Sequence, residues 1–409
     1  VTKILCDTKE DPIAMGGHQK IVIASMDISA GGLGSYLMNM AEGLKERGWL
    51  VHIVASNSRD NLFDVMSGDF ICHDLSTMSL SMRKVITASN LINAIAPDVL
   101  LLNHCSLMHY ALPLIPSRTK PVAVLHSNDP RFYSVAAIFK ERVFRWVAPT
   151  SGVALAATKL IGTANQSRIS VIPHGVRTDV FNCLGRSPTP SGRIAFVGYV
   201  AENKGADLLP GIMQLVVSAH PTAHLSVVGY GPLLKILERQ FRETGMEKNL
   251  TLAGALSPTE VAAVLRSSDI FLLPTRVEGF GLAIVEAMHC GAVPVVTHLS
   301  GVTDQIVNNG RSGFLVEQDK VEGFAGAVST LLGDSKRLQE LSDCASNEGK
   351  ARFPLERMIA DYENLFAASD NRIKSRQRTK MGWVAELLSE VMRKETFSAL
   401  VQKGRYLFR

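Results

Sequence analysis

Asp269-Ile270-Phe271-Leu272-Leu273-Pro274 is a short apolar run closed by proline. After Thr275 comes Arg276-Val277-Glu278-Gly279-Phe280-Gly281-Leu282-Ala283-Ile284-Val285-Glu286-Ala287-Met288. The first run reads as a buried strand of a parallel sheet. From Gly281 to His289 the chain reads as a helix that is apolar on nearly every side, and such a helix is a buried one. Glu286 lies within it, and a buried carboxylate is costly unless a donor or a cation meets it. Gly279 and Gly281 admit backbone conformations closed to other residues and let another group come close. The free amides of a helix start favour an anion.

One strand end thus offers the carboxylate of Glu278, an amide-rich bend and a second carboxylate further along the helix. That combination suits a nucleotide-sugar diphosphate, with Glu286 accepting hydrogen bonds from ribose hydroxyls. The alternative is an ordinary strand, loop and helix in which Glu286 pairs with a structural Arg or Lys.

Composition narrows the setting. The 409 residues exceed one comfortable core and suggest two domains. With 46% hydrophobic and 20% charged residues the chain is globular in character. No run approaches the ~18 apolar residues of a membrane span, and Val1 to Glu10 lacks the layout of a secretory signal. The six cysteines are scattered, without C-x-x-C or metal-ligand spacing, which points to reduced thiols and a cytoplasmic location. The net charge of +5 is unevenly placed. Residues 371–409 hold ten Lys/Arg and three Asp/Glu, which leaves 33 basic and 35 acidic residues in the rest. A near-neutral body argues against nucleic acid as the substrate.

Taken in order, strands are expected at Lys20–Ser25, Trp49–Ala55, Val99–Asn103, Val122–His126 and Trp146–Pro149. Helices are expected through Leu37, Met40, Ala41 and Leu44, and near 84–95, 130–144 and 151–161. Ile169–Pro173 closes this half, and Gly185–Gly192 has the composition of a linker. The alternation then restarts, with strands at 193–198, 224–228, 250–253, 269–273 and 293–296 and later helices at 321–332, 336–347 and 354–368. Strict alternation means α/β architecture: two Rossmann-like, doubly wound parallel-sheet domains facing a cleft. The expected division is 1–185 for a first, acceptor-binding domain, 186–352 for a second, donor-binding domain, 353–370 for a helix returning to the first, and 371–409 for a basic tail. In the tail, Trp383, Val384, Leu387, Leu388, Val391 and Met392 form a helical apolar face beside basic residues. Such a segment lies either on an anionic membrane surface, which would place the protein peripherally at the inner face, or packed on the body.

The remaining motifs are individually weak. Ala30-Gly31-Gly32-Leu33-Gly34 opens a helix but lacks the third glycine of a dinucleotide fingerprint, and the next strand ends without an acid for a ribose. Gly198-Tyr199 ends a strand, and Lys204-Gly205 opens the following helix, where a lysine can neutralise a phosphate. Gly229-Tyr230-Gly231-Pro232 is a further glycine turn on the same sheet edge. His126 closes a strand of the first half and is the candidate there for contact with a sugar. His104 and His109 have no third ligand at metal spacing, and no Asp-x-Asp occurs, so no metal or other cofactor is expected.

With these residues assembled, the chain resembles the retaining glycosyltransferases of family 4, with the two-domain GT-B fold, from about Lys20 to Phe366. The most specific element is E-x7-E, Glu278 to Glu286, with its internal G-F-G-L. Gly31-Gly32, Ile172-Pro173-His174-Gly175-Val176, Lys204-Gly205, Gly229-x-Gly231-Pro232 and Gly291-x-x-Pro294-Val295-Val296 follow in the family's order. The resemblance implies Lys204, Glu278 and His126 as catalytic residues. It implies a donor site of Gly31, Gly32, Gly198, Tyr199, Lys204, Arg276, Gly279, Phe280, Gly281, Leu282 and Glu286. Tyr199 stands where members usually carry an arginine; either Lys204 suffices, or another residue, Arg276 by expectation, replaces that cation, or the protein is a weakened or inactive relative. The implied reaction moves a sugar from a UDP or GDP sugar to an acceptor hydroxyl, without a metal, in the synthesis of a glycan, glycolipid or glycosylated metabolite. The alternatives are a catalytically weakened GT-B protein acting as a binding or complex subunit, and another GT-B enzyme such as a phosphorylase or nucleotide-sugar epimerase.

Overall fold

The computed structural model describes residues 19–29, 31–127, 134–185 and 191–369. The expectations for 1–18, for most of the 185–192 linker and for the 371–409 tail lie outside these residues.

Two parallel sheets organise the chain. The first is built from β1 (Lys20–Ile28), β2 (Leu50–Arg59), β3 (Ile71–Asp74), β4 (Val99–Asn103), β5 (Lys120–Val124), β6 (Arg145–Ala148) and β7 (Ile169–Val171), in the order β3-β2-β1-β4-β5-β6-β7. The second holds β8 (Arg193–Val197), β9 (His224–Val228), β10 (Leu250–Gly254), β11 (Ile270–Leu273), β12 (Val293–Thr297) and β13 (Phe314–Val316), in the order β10-β9-β8-β11-β12-β13. Strands such as β4, β11 and β12 are buried along their whole length, because helices cover both faces. In each sheet the order reverses at one place, between β1 and β4 and between β8 and β11, and ligands of such sheets bind beyond the carboxyl ends there.

The sequence reading missed the edge strands β3 and β13 and the helices Asn61–Asp69 and Ser106–Ala111. All four residues of β3 are only half-buried, so no apolar run marks it. Of the helix expected over 130–144, residues 130–133 lie outside the described ones and 134–136 are helical, but 137–142 form turns, and Phe139 sits in the left-handed region at φ 47°, where a helix cannot continue. Strand β5 ends at Val124, so His126 lies in the loop beyond it.

The helix Leu355–Ala367 follows the second sheet in sequence and packs on the first. Leu355, Met358, Ile359, Tyr362, Leu365 and Phe366 recur at helical spacing and join the core formed by β1, β2 and the helix Gly32–Glu46. Each such side chain contributes roughly 1.5–3 kcal/mol when fully buried. Gly43 makes room for this crossing, since a Cβ there would lie 2.6 Å from Ile359. At the ends, Arg47 pairs with Glu363 at 2.8 Å, and Lys120 Nζ donates to the carbonyl of Phe366 at 2.7 Å.

Candidate active site

The loop after β11 and the turn after β8 are neighbours because those strands pair at the reversal of the second sheet. Backbone contacts then join them. The amide of Arg276 donates to the carbonyl of Asn203 at 2.9 Å, and the buried Thr275 hydroxyl donates to the same carbonyl at 3.1 Å. Gly205 has φ 69°, and a Cβ on it would lie 1.9 Å from the carbonyl oxygen of Pro274. Only glycine allows the Lys204 turn to come this close to the end of β11. The result is an ion pair, Lys204 Nζ to Glu278 Oε1, at 2.5 Å, largely removed from solvent.

Arg276 points elsewhere. Its guanidinium grips Asp207 with two nitrogens, at 2.7 and 2.8 Å, reaches Asp319 at 2.7 Å and donates to the carbonyl of Glu202. Its charge is therefore matched by two carboxylates. It braces the turn that carries Lys204. Tyr199 is 45% exposed and meets Tyr230 edge-to-face, with ring centres 5.4 Å apart.

Glu286 is the site's most unusual group. It projects from the helix Leu282–His289, whose preceding residue Gly281 is left-handed at φ 97°. Asp269, equally buried at 6%, accepts hydrogen bonds from Ser191 N, Ser191 Oγ and Arg193 N. Glu286, at 8% exposure, meets no hydrogen-bond or ion-pair partner among the described residues. Burial pushes its carboxyl up from 4.5 to about 7. The structural Arg or Lys of the alternative reading is not found among the described residues.

The bend faces the first sheet. A Cβ on Gly279 would lie 2.1 Å from the carbonyl oxygen of His126, and Thr150 Oγ1 donates to the Gly279 carbonyl at 3.1 Å. The Phe280 ring lies 5.1 Å from that of His174. Around His126, ring centres of Tyr36, His104 and His174 lie at 4.6, 5.2 and 5.4 Å. Its Nε2 is 2.8 Å from Asn103 Oδ1, while Asn103 Nδ2 donates to the Ala24 carbonyl at 3.2 Å. Burial first, then His104 and His174, hold the His126 imidazole well below the usual histidine range; burial takes His104 to about 4 and His174 to about 3. All three rings are therefore neutral at pH 7.

Gly31 and Gly32 open the helix Gly32–Glu46 and stand exposed, with open space around both. They are linked to His126 through Tyr36, a turn later on the same helix, whose hydroxyl pairs with that of Tyr362 at 2.9 Å. Gly198 lies at the end of β8, and its carbonyl abuts Gly229. The sequence reading passed over Asn103, His104 and His174 as members of this site. A polar Asn103-His104 pair closing the fully buried β4 was the available signal.

Comparison with known proteins agrees with this architecture. A model of glycosyl transferases group 1 matches residues 185–348, and one of Glycosyltransferase Family 4 matches 30–180. The chain is 25% identical over 365 residues to the GDP-mannose:cellobiosyl-diphosphopolyprenol alpha-mannosyltransferase of Xanthomonas oryzae, covering 83% of this chain and 94% of that one. It is 31% identical over 216 residues to the D-inositol 3-phosphate glycosyltransferase of Rhodococcus erythropolis, 48% of each chain. Among solved structures, HepE of Anabaena in complex with UDP-glucose superposes with a TM-score of 0.73 at 18% identity, over 86% of this chain and all of that one. Two parallel sheets meeting at this bend, matched along both halves by these families, make the chain a member of the group 1, family 4 glycosyltransferases with the GT-B fold.

Proposed function

We propose that this glycosyltransferase takes a sugar from a nucleotide-diphosphate donor and transfers it, with retention of anomeric configuration, to a hydroxyl of a phosphate-bearing acceptor. The observation that carries the reading is the buried carboxylate of Glu286, without a partner among the described residues, directly behind a bend that touches the loop beyond the opposite sheet. An evolved chain tolerates such a group where a ligand completes it, and a ribose offers the two hydroxyl donors it needs. Lys204 and the amides of 279–282 meet the diphosphate, and Glu278 holds Lys204 in place until the donor arrives. Stabilising the departing diphosphate is then the main catalytic work, done here without a metal. His126 faces the transferred sugar.

The phosphate-bearing acceptor follows the relatives, one acting on a diphosphopolyprenol and another on an inositol phosphate. The basic 371–409 segment would hold the protein at an anionic membrane where a lipid-linked acceptor resides. A catalytically weakened relative is the second reading, favoured by Tyr199 together with the fully engaged Arg276.

Calorimetry with UDP and GDP sugars, followed by transfer assays with chelator present and NMR of the product anomer, tests the proposal. Donor binding and a retained anomer are expected. Failure of every nucleotide sugar to bind would overturn it, and binding without transfer or hydrolysis would favour the second reading.

A further inference from the structure

His126 has two ring nitrogens, and the network around it decides which carries the proton. The Asn103 amide is oriented from its other end, because Nδ2 must face the Ala24 carbonyl to donate to it. Its oxygen therefore faces His126 Nε2 at 2.8 Å, and a carbonyl oxygen can only accept. The ring is thus protonated at Nε2. Nδ1 keeps its lone pair and has no partner among the described residues. The backbone amide of His126 donates to His104 Nε2 at 3.4 Å, which gives His104 the opposite tautomer, with its proton on Nδ1. Asn103 is fully buried at the end of β4, next to β1 at the reversal of the first sheet, so the amide is set by the sheet itself.

We propose that Asn103 is a positioning residue that fixes His126 as the Nε2–H tautomer, so that Nδ1 accepts a hydrogen bond from a hydroxyl of the transferred sugar. The role at the sugar rests on the functional reading above, while the tautomer does not. A neutral imidazole with its lone pair outward suits a hydroxyl donor. An imidazolium would present a donor instead, which reverses the hydrogen bond to the hydroxyl and sets a positive charge beside the transferred sugar. The titratable groups facing the ring are His104 beyond β4, His174 beyond β7 and Tyr36 on the helix Gly32–Glu46.

The test uses the full chain with 15N-labelled histidine, with His126→Gln identifying the His126 signals. The native protein should show the Nε2–H pattern at His126, and Asn103→Leu should show a mixture of tautomers. Kinetically, Asn103→Leu should lower kcat by roughly ten- to a hundredfold, the size of one misplaced catalytic contact, with little change in donor KM. Asn103→Asp keeps an acceptor at Nε2 but sets a carboxylate beside it. It should retain the tautomer and move the acid limb of the rate profile upward by about one pH unit or more. Should Asn103→Leu fail to fold, Asn103→Ser and Asn103→Asp supply the same readouts. A native Nδ1–H tautomer would overturn the inference. So would variants that keep the native rate and the native acid limb. If no donor is turned over by any form, the glycosyl-transfer reading fails, and the tautomer measurement alone decides the role of Asn103.

Discussion

Gly279 and His126 lie in loops beyond the strands of different sheets, yet the carbonyl oxygen of His126 lies where a Cβ on Gly279 would be 2.1 Å away. A close approach to backbone cannot be relieved by a rotamer change. Gly279→Ala should therefore displace the bend, at about 1–3 kcal/mol as for other overpacked sites. Donor affinity is expected to fall by roughly tenfold or more, since each ~1.4 kcal/mol is a factor of ten. Calorimetry with the best-binding nucleotide sugar measures it, and unchanged affinity would detach the bend from the donor site.

The Glu286 carboxyl makes a prediction about stability. Its value rises on folding from 4.5 to about 7, so between these the folded chain holds a proton that the unfolded chain releases. Stability from this group is fully present below the unfolded value and is lost as pH rises through about 7, where a buried carboxylate must carry charge. Glu286→Gln removes that loss. It should be more stable than the native chain at about pH 8, by up to ~3 kcal/mol, with the gap closing toward about pH 4. Urea unfolding at several pH values measures the difference, and a gap independent of pH would mean the carboxylate has a partner.

The same group should couple donor binding to protons. Ribose hydroxyls donate to a charged carboxylate, so binding favours the ionised form and releases part of a proton near neutral pH. Affinity is expected to rise with pH through about 7 and then level off. Calorimetry in buffers of different ionisation enthalpy counts the protons released. In Glu286→Gln that release should vanish and affinity should fall.

Lys204 and Arg276 separate by phenotype. Lys204→Ala removes a preorganised charge and should cut turnover by about a hundredfold or more, as loss of one such contact of ~3 kcal/mol does. Arg276→Ala leaves Asp207 and Asp319 facing each other without a cation. It should reduce stability first, by about 1–2 kcal/mol, and reduce turnover less than Lys204→Ala. If Arg276→Ala instead matched Lys204→Ala in turnover at native stability, the arginine would be the diphosphate's second cation after all.

Gly205 offers a structural control. At φ 69°, and with the Pro274 carbonyl 1.9 Å from any added Cβ, Gly205→Ala should destabilise by about 2 kcal/mol or more and cost turnover by moving Lys204. Thermal unfolding and kcat measured together check it, and a stable, fully active variant would show that the turn is not clamped to β11.

Strands such as Val99–Asn103, Ile270–Leu273 and Val293–Thr297 were legible because burial on both faces leaves an unbroken apolar run. Glu286 stood out by the same logic, as a lone charge in an apolar helix. Edge strand β3, half open to solvent, carries no such mark, and β13 is an apolar run of only three residues, Phe314–Val316.

The sequence alone determined the alternation of strand and helix, the two parallel sheets and the bend with its two acids, because these rest on local pattern and on what burial allows a side chain to be. Tertiary structure alone decided which groups meet. The pairing of β8 with β11 brings Lys204 to Glu278 across 74 residues. Asp207 and Asp319 claim Arg276, and the turning of one sheet edge toward the other sets Gly279 against His126. Contacts between distant segments depend on how whole strands are ordered and packed, and no stretch of residues encodes that order by itself.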